Sequence, residues 1–332
     1  MENKDDSPFS IFIEAVVLVY TVLKELTVSI YRFFISPPRK SVRNNIVLIT
    51  GSGGTIGREL CVRFSKLGAT LVLWDINLQK NEETATLIKE SGGVCYTYTV
   101  DVGKHEDVSK VGQLVLEEVG VVDILVNNAA VVSGRSLLEC PDEMIERTFD
   151  VNLLAQFWTA KFFLPYMIKR NHGHVVNIAS STGLLGLRNL TDYSASKFGV
   201  VGFSEVLNLE LVFSEADGVH TTLVCPSFVK TSLFQGCDMR FPAVLPPLEV
   251  SYCADKIVHA VLTNQVVLYV PRIVYFFTIC KTILPVGAMN AISNFFGAVR
   301  FMDNFVHVDN GNDQAVPNRS MTSLPNDTKK DV

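Results

Sequence analysis

From residue 45 onward, seven short runs of β-branched and aliphatic residues punctuate the chain: NIVLIT (45–50), TLVLW (70–74), VCYTYTV (94–100), DILVN (123–127), HVVNIAS (174–180), HTTLVC (220–225) and VVLYV (266–270). Each has the length of a strand, and the intervals between them are long enough for a helix. The apolar positions are nearly continuous rather than alternating, as expected of strands covered on both faces. The pattern predicts an α/β domain over residues 41–270, a doubly wound parallel sheet of seven strands.

The flanks follow a different pattern. Residues 9–36 are apolar, but Glu14, Lys24, Glu25 and Arg32 interrupt them, so they are not a clean membrane span. On a helix, Glu14, Thr21, Glu25 and Arg32 fall nearly on one line, and the remaining surface is Val, Leu, Ile, Phe and Tyr. Residues 1–40 are therefore read as a membrane-associated segment, a helix lying in or tilted through an interface. The competing reading is an amphipathic helix packed in the fold or at a dimer contact. No small-residue cleavage site follows, and the basic residues Arg32, Arg39, Lys40 and Arg43 keep the main domain on the cytosolic side. Residues 271–306 form an apolar extension, in which only Arg272 and Lys281 carry charge before Arg300. It is either a second membrane-contacting patch or the wall of a lipophilic pocket. Residues 307–332 are polar, Asn-rich and proline-broken, and read as a disordered tail.

Composition narrows the function classes. The balance of 29 basic against 34 acidic residues carries no nucleic-acid signature. Seven scattered cysteines without a CxxC pair support neither a zinc site nor a disulfide framework, and fit a reducing compartment.

NIVLIT runs into GSGGTIGRELCVRF, which reads as strand, glycine turn, helix. Gly51, Ser52, Gly53, Ile56 and Gly57 form a candidate pyrophosphate cradle at a helix N-terminus. The next predicted strand ends at Asp75, where a carboxylate can accept from both hydroxyls of a ribose and would repel a 2′-phosphate. No basic residue lies within 52–56 or directly follows Asp75, which favours NAD over NADP. Asp75 as a helix N-cap is the alternative.

Farther along, Tyr193 and Lys197 sit at i and i+4, on one face if helical. An ammonium near a phenol favours phenolate, so Tyr193 is a candidate base for an alcohol proton, or the acid that returns it. Ser180, at the end of HVVNIAS and thirteen residues upstream, is placed to hydrogen-bond the substrate oxygen; Ser181 is the alternative. His172, His174 and Asp192 read as loop and turn residues, and no metal site is expected.

The segments TGSGGTIG, NNAA (127–130), VN (151–152), IASSTG and YSASK (193–197) resemble, in order, those of the short-chain dehydrogenase/reductases, over about residues 45–270. The resemblance implies a Rossmann-type fold and hydride transfer to or from a nicotinamide. It implies a water relay to Lys197 helped by Asn152, and a hydrogen bond from Lys197 to the nicotinamide ribose. It also implies cofactor contacts from Asp101 and Val102 at the adenine, and from Asn128, Ala129, Pro226, Val229 and Thr231. The chain departs from the family at Thr55 and Ala130, and at Ser227, where glycines are usual. Thr55 matters most, because a β-branched residue resists positive φ but accepts helix-start angles.

The segment PSFVKTSLFQGCDMRFPAVLPPLE, rich in Phe, Leu, Val and Pro, is expected to cover a large apolar substrate. With the N-terminal segment, ITGSGG, YSASKFGVVGFSE and CPSFVKTSLF, it is similar to the membrane-bound retinol dehydrogenases of the epidermal type. Their relatives, the 17-beta-hydroxysteroid dehydrogenases type 11 and type 13, reside at the endoplasmic reticulum and lipid droplets. That likeness implies oxidation of all-trans-retinol to retinal with NAD by a cytosol-facing homodimer at such a membrane. A hydroxysteroid or other lipid alcohol is the alternative substrate. A non-catalytic membrane or lipid-droplet protein with a degenerate cofactor site is the alternative class.

Overall fold

A computed structural model describes residues 7–214, 216–243, 245–309 and 312–317. Residues 1–40 and 41–332 form two separate units. In the first, helix α1 (Pro8–Phe34) has Pro8 in its first turn, and the Ser7 side chain accepts from the Ser10 N–H at 3.3 Å. Its 27 residues extend about 40 Å, and nearly every side chain along it is exposed. No described helix is long and apolar enough to cross a membrane.

The second unit holds seven parallel strands, β1 (Ile46–Thr50), β2 (Thr70–Asp75), β3 (Val94–Thr99), β4 (Ile124–Asn127), β5 (Gly173–Ile178), β6 (Val219–Pro226) and β7 (Val267–Val270). Their spatial order is β3-β2-β1-β4-β5-β6-β7. The connecting helices are α2 (Thr55–Lys66), α3 (Leu78–Glu90), α4 (His105–Glu118), α5 (Asp142–Phe149), α6 (Ala155–Lys169), α7 (Thr191–Val212) and α8 (Val250–Leu262). Side chains of successive strand residues separate two cores. Val47, Ile49, Leu71 and Leu73 pack with α2, α3 and α8 through Leu60, Phe64, Ile88 and Ile257. Leu48, Val72 and Trp74 pack with α4, α6 and α7 through Val108, Phe163 and Leu207. Both faces are thus filled, which is why the runs read as continuous apolar stretches. The β3 run departs most from this: it lies at the sheet edge and is half-exposed.

Strand order reverses between β1 and β4, opening a crevice at their C-terminal ends, where ligands bind in such sheets. Helices α9 (Ile273–Ile283) and α10 (Val286–Phe295) follow β7. Val306–Asp309 and Asn312–Pro317 pair as antiparallel strands, within the stretch read as a disordered tail. Val306, Val308 and Val316 supply the β-branched residues that such pairing favours. Residues 318–332, the rest of that tail, lie outside the described residues.

Candidate active site

The glycine turn joins β1 to α2. Gly51 has φ 66°, a conformation that side chains resist. At Gly57 an added Cβ would lie 2.1 Å from the Gly51 carbonyl oxygen. Gly54 caps α2 with extended backbone and no side-chain hydrogen bond, so no side chain occupies the first-turn N–H groups, the usual seat of a phosphate. Thr55 is the first residue of α2, exposed and in helical conformation. Its β-branch therefore carries no left-handed strain. Thr55→Gly is expected to change cofactor affinity by no more than about three-fold, since only helix propensity is altered; fluorescence titration of the cofactor checks this.

Asn128, just past β4, braces the turn. Its Nδ2 donates to the Thr50 and Gly51 carbonyls at 2.9 and 3.2 Å. Thr50 Oγ1 in return accepts from the Asn128 and Ala129 N–H groups. The buried Ser52 hydroxyl faces away from the crevice and donates to Asn81 Oδ1 at 2.6 Å. Asn81 Nδ2 donates to the Leu73 and Tyr98 carbonyls, so one buried amide ties α3 to the turn, β2 and β3. Sequence reasoning missed Asn81, because an Asn among the polar residues of NLQKNEETATLIKE carries no signal. Asp75 ends β2, with Oδ2 accepting from the Gly53 N–H at 2.9 Å and Oδ1 from the Asn77 N–H at 2.8 Å. Asn77 is the cap of α3, and Asp75 holds the turn against that helix. The Arg58 guanidinium is engaged with Glu83, Thr84 and the Lys80 carbonyl.

The reactive end assembles from β5 and α7. Ser180 follows β5, and its Oγ accepts from the Thr182 N–H at 3.1 Å. Tyr193 and Lys197, one turn apart in α7, are both buried. The Ser180 hydroxyl acts on the Tyr193 phenol by favouring its ionised form. Lys197 Nζ donates to the Ile178 carbonyl at 2.9 Å and stands 5.7 Å from the Tyr193 ring centroid. Burial pushes the Tyr193 phenol up, against the opposing effect of the Ser180 hydroxyl. The expected lowering by Lys197 does not register at this site, because the ammonium is turned to a carbonyl and burial dominates. Lys197 itself is pushed down to about 8 by burial.

That depression has a sign. Between the folded value near 8 and the ordinary 10.5 the unfolded chain binds more protons. The cost of burying the ammonium is therefore full below pH 8 and relieved as pH rises toward 10.5. In Lys197→Met this relief is absent. The stability of wild type relative to that variant should rise by about 2–3 kcal/mol across the window, read from urea unfolding at a pH series without cofactor. A flat difference would contradict the buried charge.

Asn152 lies in a π-helical turn, Asp150–Leu154, between α5 and α6. Its amide accepts from the Val131 N–H at 2.8 Å and donates to the Val131 carbonyl and Ser196 Oγ. Its carbonyl accepts from Gln156 Nε2. The side chain thus locks the loop after β4 to α7, behind Tyr193. Asp192 is buried and accepts from Ser133 Oγ and Thr148 Oγ1 at 2.7 and 2.8 Å, fixing the start of α7. Asp101 pairs with both Arg147 nitrogens and caps the Gly103 N–H, while Val102 is buried beside it. His174 is buried on β5 against Thr222 and His220; His172 is exposed near Asp123.

A cavity of about 170 Å³ begins at Ser180. Ser227 and Phe228 line it after β6, Pro226 being the last residue of that strand, and Phe234 and Leu245 line it from the segment between β6 and α8. Buried Val229 pairs with Leu248, and Thr231 precedes a short turn of 3-10 helix. The far wall comes from Val274 and Phe277 of α9, Met289 and Ile292 of α10, and Phe296 and Phe301 beyond them. Phe234 and Phe301 also pack on Tyr193, with ring centroids of Phe234 and Tyr193 5.6 Å apart. Leu190, Met302 and Phe305 complete this cover.

A short chain dehydrogenase family profile matches residues 45–239. The chain belongs to the short-chain dehydrogenase family. It is accordingly an oxidoreductase, and its glycine turn and crevice fit a nicotinamide cofactor. The epidermal retinol dehydrogenase 2 of Mus musculus is 46% identical over 272 residues, covering 82% of this chain and 88% of that protein. The human retinol dehydrogenase 10 is 44% identical over 324 residues, 90% of this chain and 95% of that protein. Among solved structures, a short-chain dehydrogenase/reductase from Burkholderia phymatum in complex with NAD shares the fold at TM-score 0.67 and 24% identity, covering 73% of this chain and 94% of its own. A metagenomic short-chain oxidoreductase in complex with NADP matches at TM-score 0.59 and 26% identity, covering 70% and 97%.

Proposed function

We propose that this short-chain dehydrogenase oxidises a lipophilic alcohol, all-trans-retinol to retinal, with NAD as hydride acceptor. The observation that carries the reading is the buried Ser180–Tyr193–Lys197 set at the end of an apolar cavity. A bound nicotinamide supplies the two-electron acceptor. Ser180 Oγ holds the alcohol oxygen, and Tyr193 Oη takes its proton as general base. The Lys197 ammonium, held by the Ile178 carbonyl, would donate to the nicotinamide ribose. Asn152 keeps α7 in register with the β4 loop and, through its π-turn, serves the water relay to Lys197. Gly51, Gly53, Ile56 and Gly57 would hold the pyrophosphate, with Ser52 bracing their turn through Asn81; Asp101, Val102, Asn128, Ala129, Pro226, Val229 and Thr231 would line the remaining cofactor groove. The retinoid is supported by the two relatives, both named as retinol dehydrogenases. Thr55 at helix-start angles weakens one of the two motives for a degenerate cofactor site, the other being the apolar appendages.

Asp75 supports NAD, because its carboxylate would repel a 2′-phosphate, and the Arg58 guanidinium is bound to α3. Asp75→Ala is expected to narrow the preference for NAD over NADP by about ten-fold or more, measured as the ratio of kcat/KM for the two cofactors. A wild type that prefers NADP would refute this assignment. The substrate is tested on membranes holding the protein, offered retinol, hydroxysteroids and long-chain alcohols with NAD. If a steroid is turned over and retinol is not, the alternative substrate replaces this one.

The exposed apolar surface of α1, including Phe12, Val16, Val19, Leu23 and Ile30, supports attachment to a membrane interface. With Arg39, Lys40 and Arg43 following it, we place the domain on the cytosolic side of the endoplasmic reticulum or of a lipid droplet. Digestion of intact microsomes by added protease should remove the domain. The exposed strip Val206, Leu209 and Val212 of α7, continued by Phe213 at its C-cap, supports a homodimer.

A further inference from the structure

Residues 271–300 contain Arg272, Lys281 and Arg300 and no acidic residue, in a chain whose net charge is −5. Helices α9 and α10, within this stretch, are apolar on two sides. Their inward sides wall the cavity, through Val274 and Phe277 on α9 and Met289 and Ile292 on α10. Their outward sides carry Phe276 (59% exposed), Ile279 (58%), Ile283 (73%) and Val286 (76%). Ile273 belongs to both sets, lining the cavity while exposed, so the cavity mouth lies at this face. Lys281 is anchored from below: its Nζ donates to the Leu184 carbonyl at 2.6 Å and stands 4.6 Å from the Phe198 ring centroid.

We propose that α9 and α10 form a docking surface for a phospholipid bilayer, through which the cavity opens to the acyl region and takes its substrate from it. The substrate half rests on the lipophilic-alcohol reading above; the docking half does not. Several features favour a bilayer over a protein partner. Large aliphatic and aromatic side chains project from short adjacent helices, as interfacial segments do. The local charge is positive in an acidic chain, which complements anionic headgroups. The cavity behind the patch is apolar along the same helices, so an apolar ligand passes from acyl chains to Ser180 without crossing water. A second copy of the chain has a different apolar strip available, on α7.

The test places tryptophan at single sites of the full chain: Ile279→Trp on the patch, and Val94→Trp, exposed at the start of edge strand β3, away from the crevice. Each is bound to phosphatidylcholine–phosphatidylserine vesicles with dibrominated acyl chains, with the emission of Trp74 and Trp158 in the wild type as background. Quenching of the added emission at position 279 by about half or more, with little at 94, is the expected result for burial at the acyl boundary. If position 279 stays unquenched on vesicles that carry the protein, the proposal falls, whether acrylamide reaches it (free surface) or not (covered by another chain). Because this readout needs no turnover, it stands apart from the substrate assignment. A second measurement uses the triple variant Phe276→Glu, Ile279→Glu, Ile283→Glu. KM for vesicle-dissolved retinol should rise by about ten-fold or more, with detergent-dispersed retinol unaffected within about two-fold. An equal change in both presentations would overturn the entry route.

Discussion

Tyr193→Phe is expected to lower kcat for alcohol oxidation by about 10²–10⁴-fold while cofactor affinity stays near wild type. The substitution removes one oxygen and keeps the ring, which packs edge-on against Phe234 and lies within the cluster of Leu190, Phe301, Met302 and Phe305. The folded state thus loses little beyond the hydroxyl's interaction with Ser180. The reaction, by contrast, loses its proton acceptor, the phenol beside Ser180. Steady-state oxidation with retinol and NAD on membranes, together with cofactor titration, separates the two effects. Retention of more than about a tenth of wild-type kcat would show that another group moves the proton. The wild-type pH profile carries related information. Burial raises the phenol, so its base form grows with pH and oxidation should rise from neutrality, until Lys197 begins to lose its charge near 8.

Gly57→Ala should be the most damaging small change at the cofactor end. The new Cβ would lie 2.1 Å from the Gly51 oxygen, 2.9 Å from its carbonyl carbon and 3.0 Å from Asn128 Nδ2. Two of these atoms are backbone and the third is held by Thr50 and Gly51. The turn must therefore open, which displaces the groups that would hold the pyrophosphate. Cofactor affinity is expected to fall by about 100-fold or more and Tm by several degrees. Gly202→Ala is the matched control. It lies in α7 with nothing within 4 Å of an added Cβ, so it should leave cofactor binding unchanged and stabilise the helix by about 1 kcal/mol. Isothermal titration and thermal melts of both variants decide the matter; a Gly57→Ala protein that binds normally would mean the turn is not the cofactor cradle.

How much of this was legible beforehand differs by residue. The strand runs were readable because both sheet faces are buried, and the edge strands β3 and β7 depart from that rule, β3 more than β7. Tyr193 and Lys197 were readable as a pair because four residues make one helical turn. Their titration was not: a lone ammonium at i+4 argues for a lowered phenol, but enclosure by Phe234, Phe301 and Phe305 reverses the balance. Those aromatics come from segments about 40 and 110 residues downstream, and nothing in the local pattern announces where they fold. The same holds for Asp101 with Arg147 and for Asp192 with Ser133 and Thr148, where the partner sets the role.

What the sequence determined by itself were the properties carried by neighbours along the chain: strands, helices, the glycine turn and the spacing of Ser180, Tyr193 and Lys197. Tertiary structure alone decided which atoms those groups face. Thr55 stands at the first residue of the helix, where its β-branch carries no left-handed strain. Residues 271–306, read as either a membrane patch or a pocket wall, do wall the cavity while α9 and α10 turn another apolar side outward. A helix has more than one face, and a linear pattern of apolar residues cannot say which face meets the cavity and which is left open.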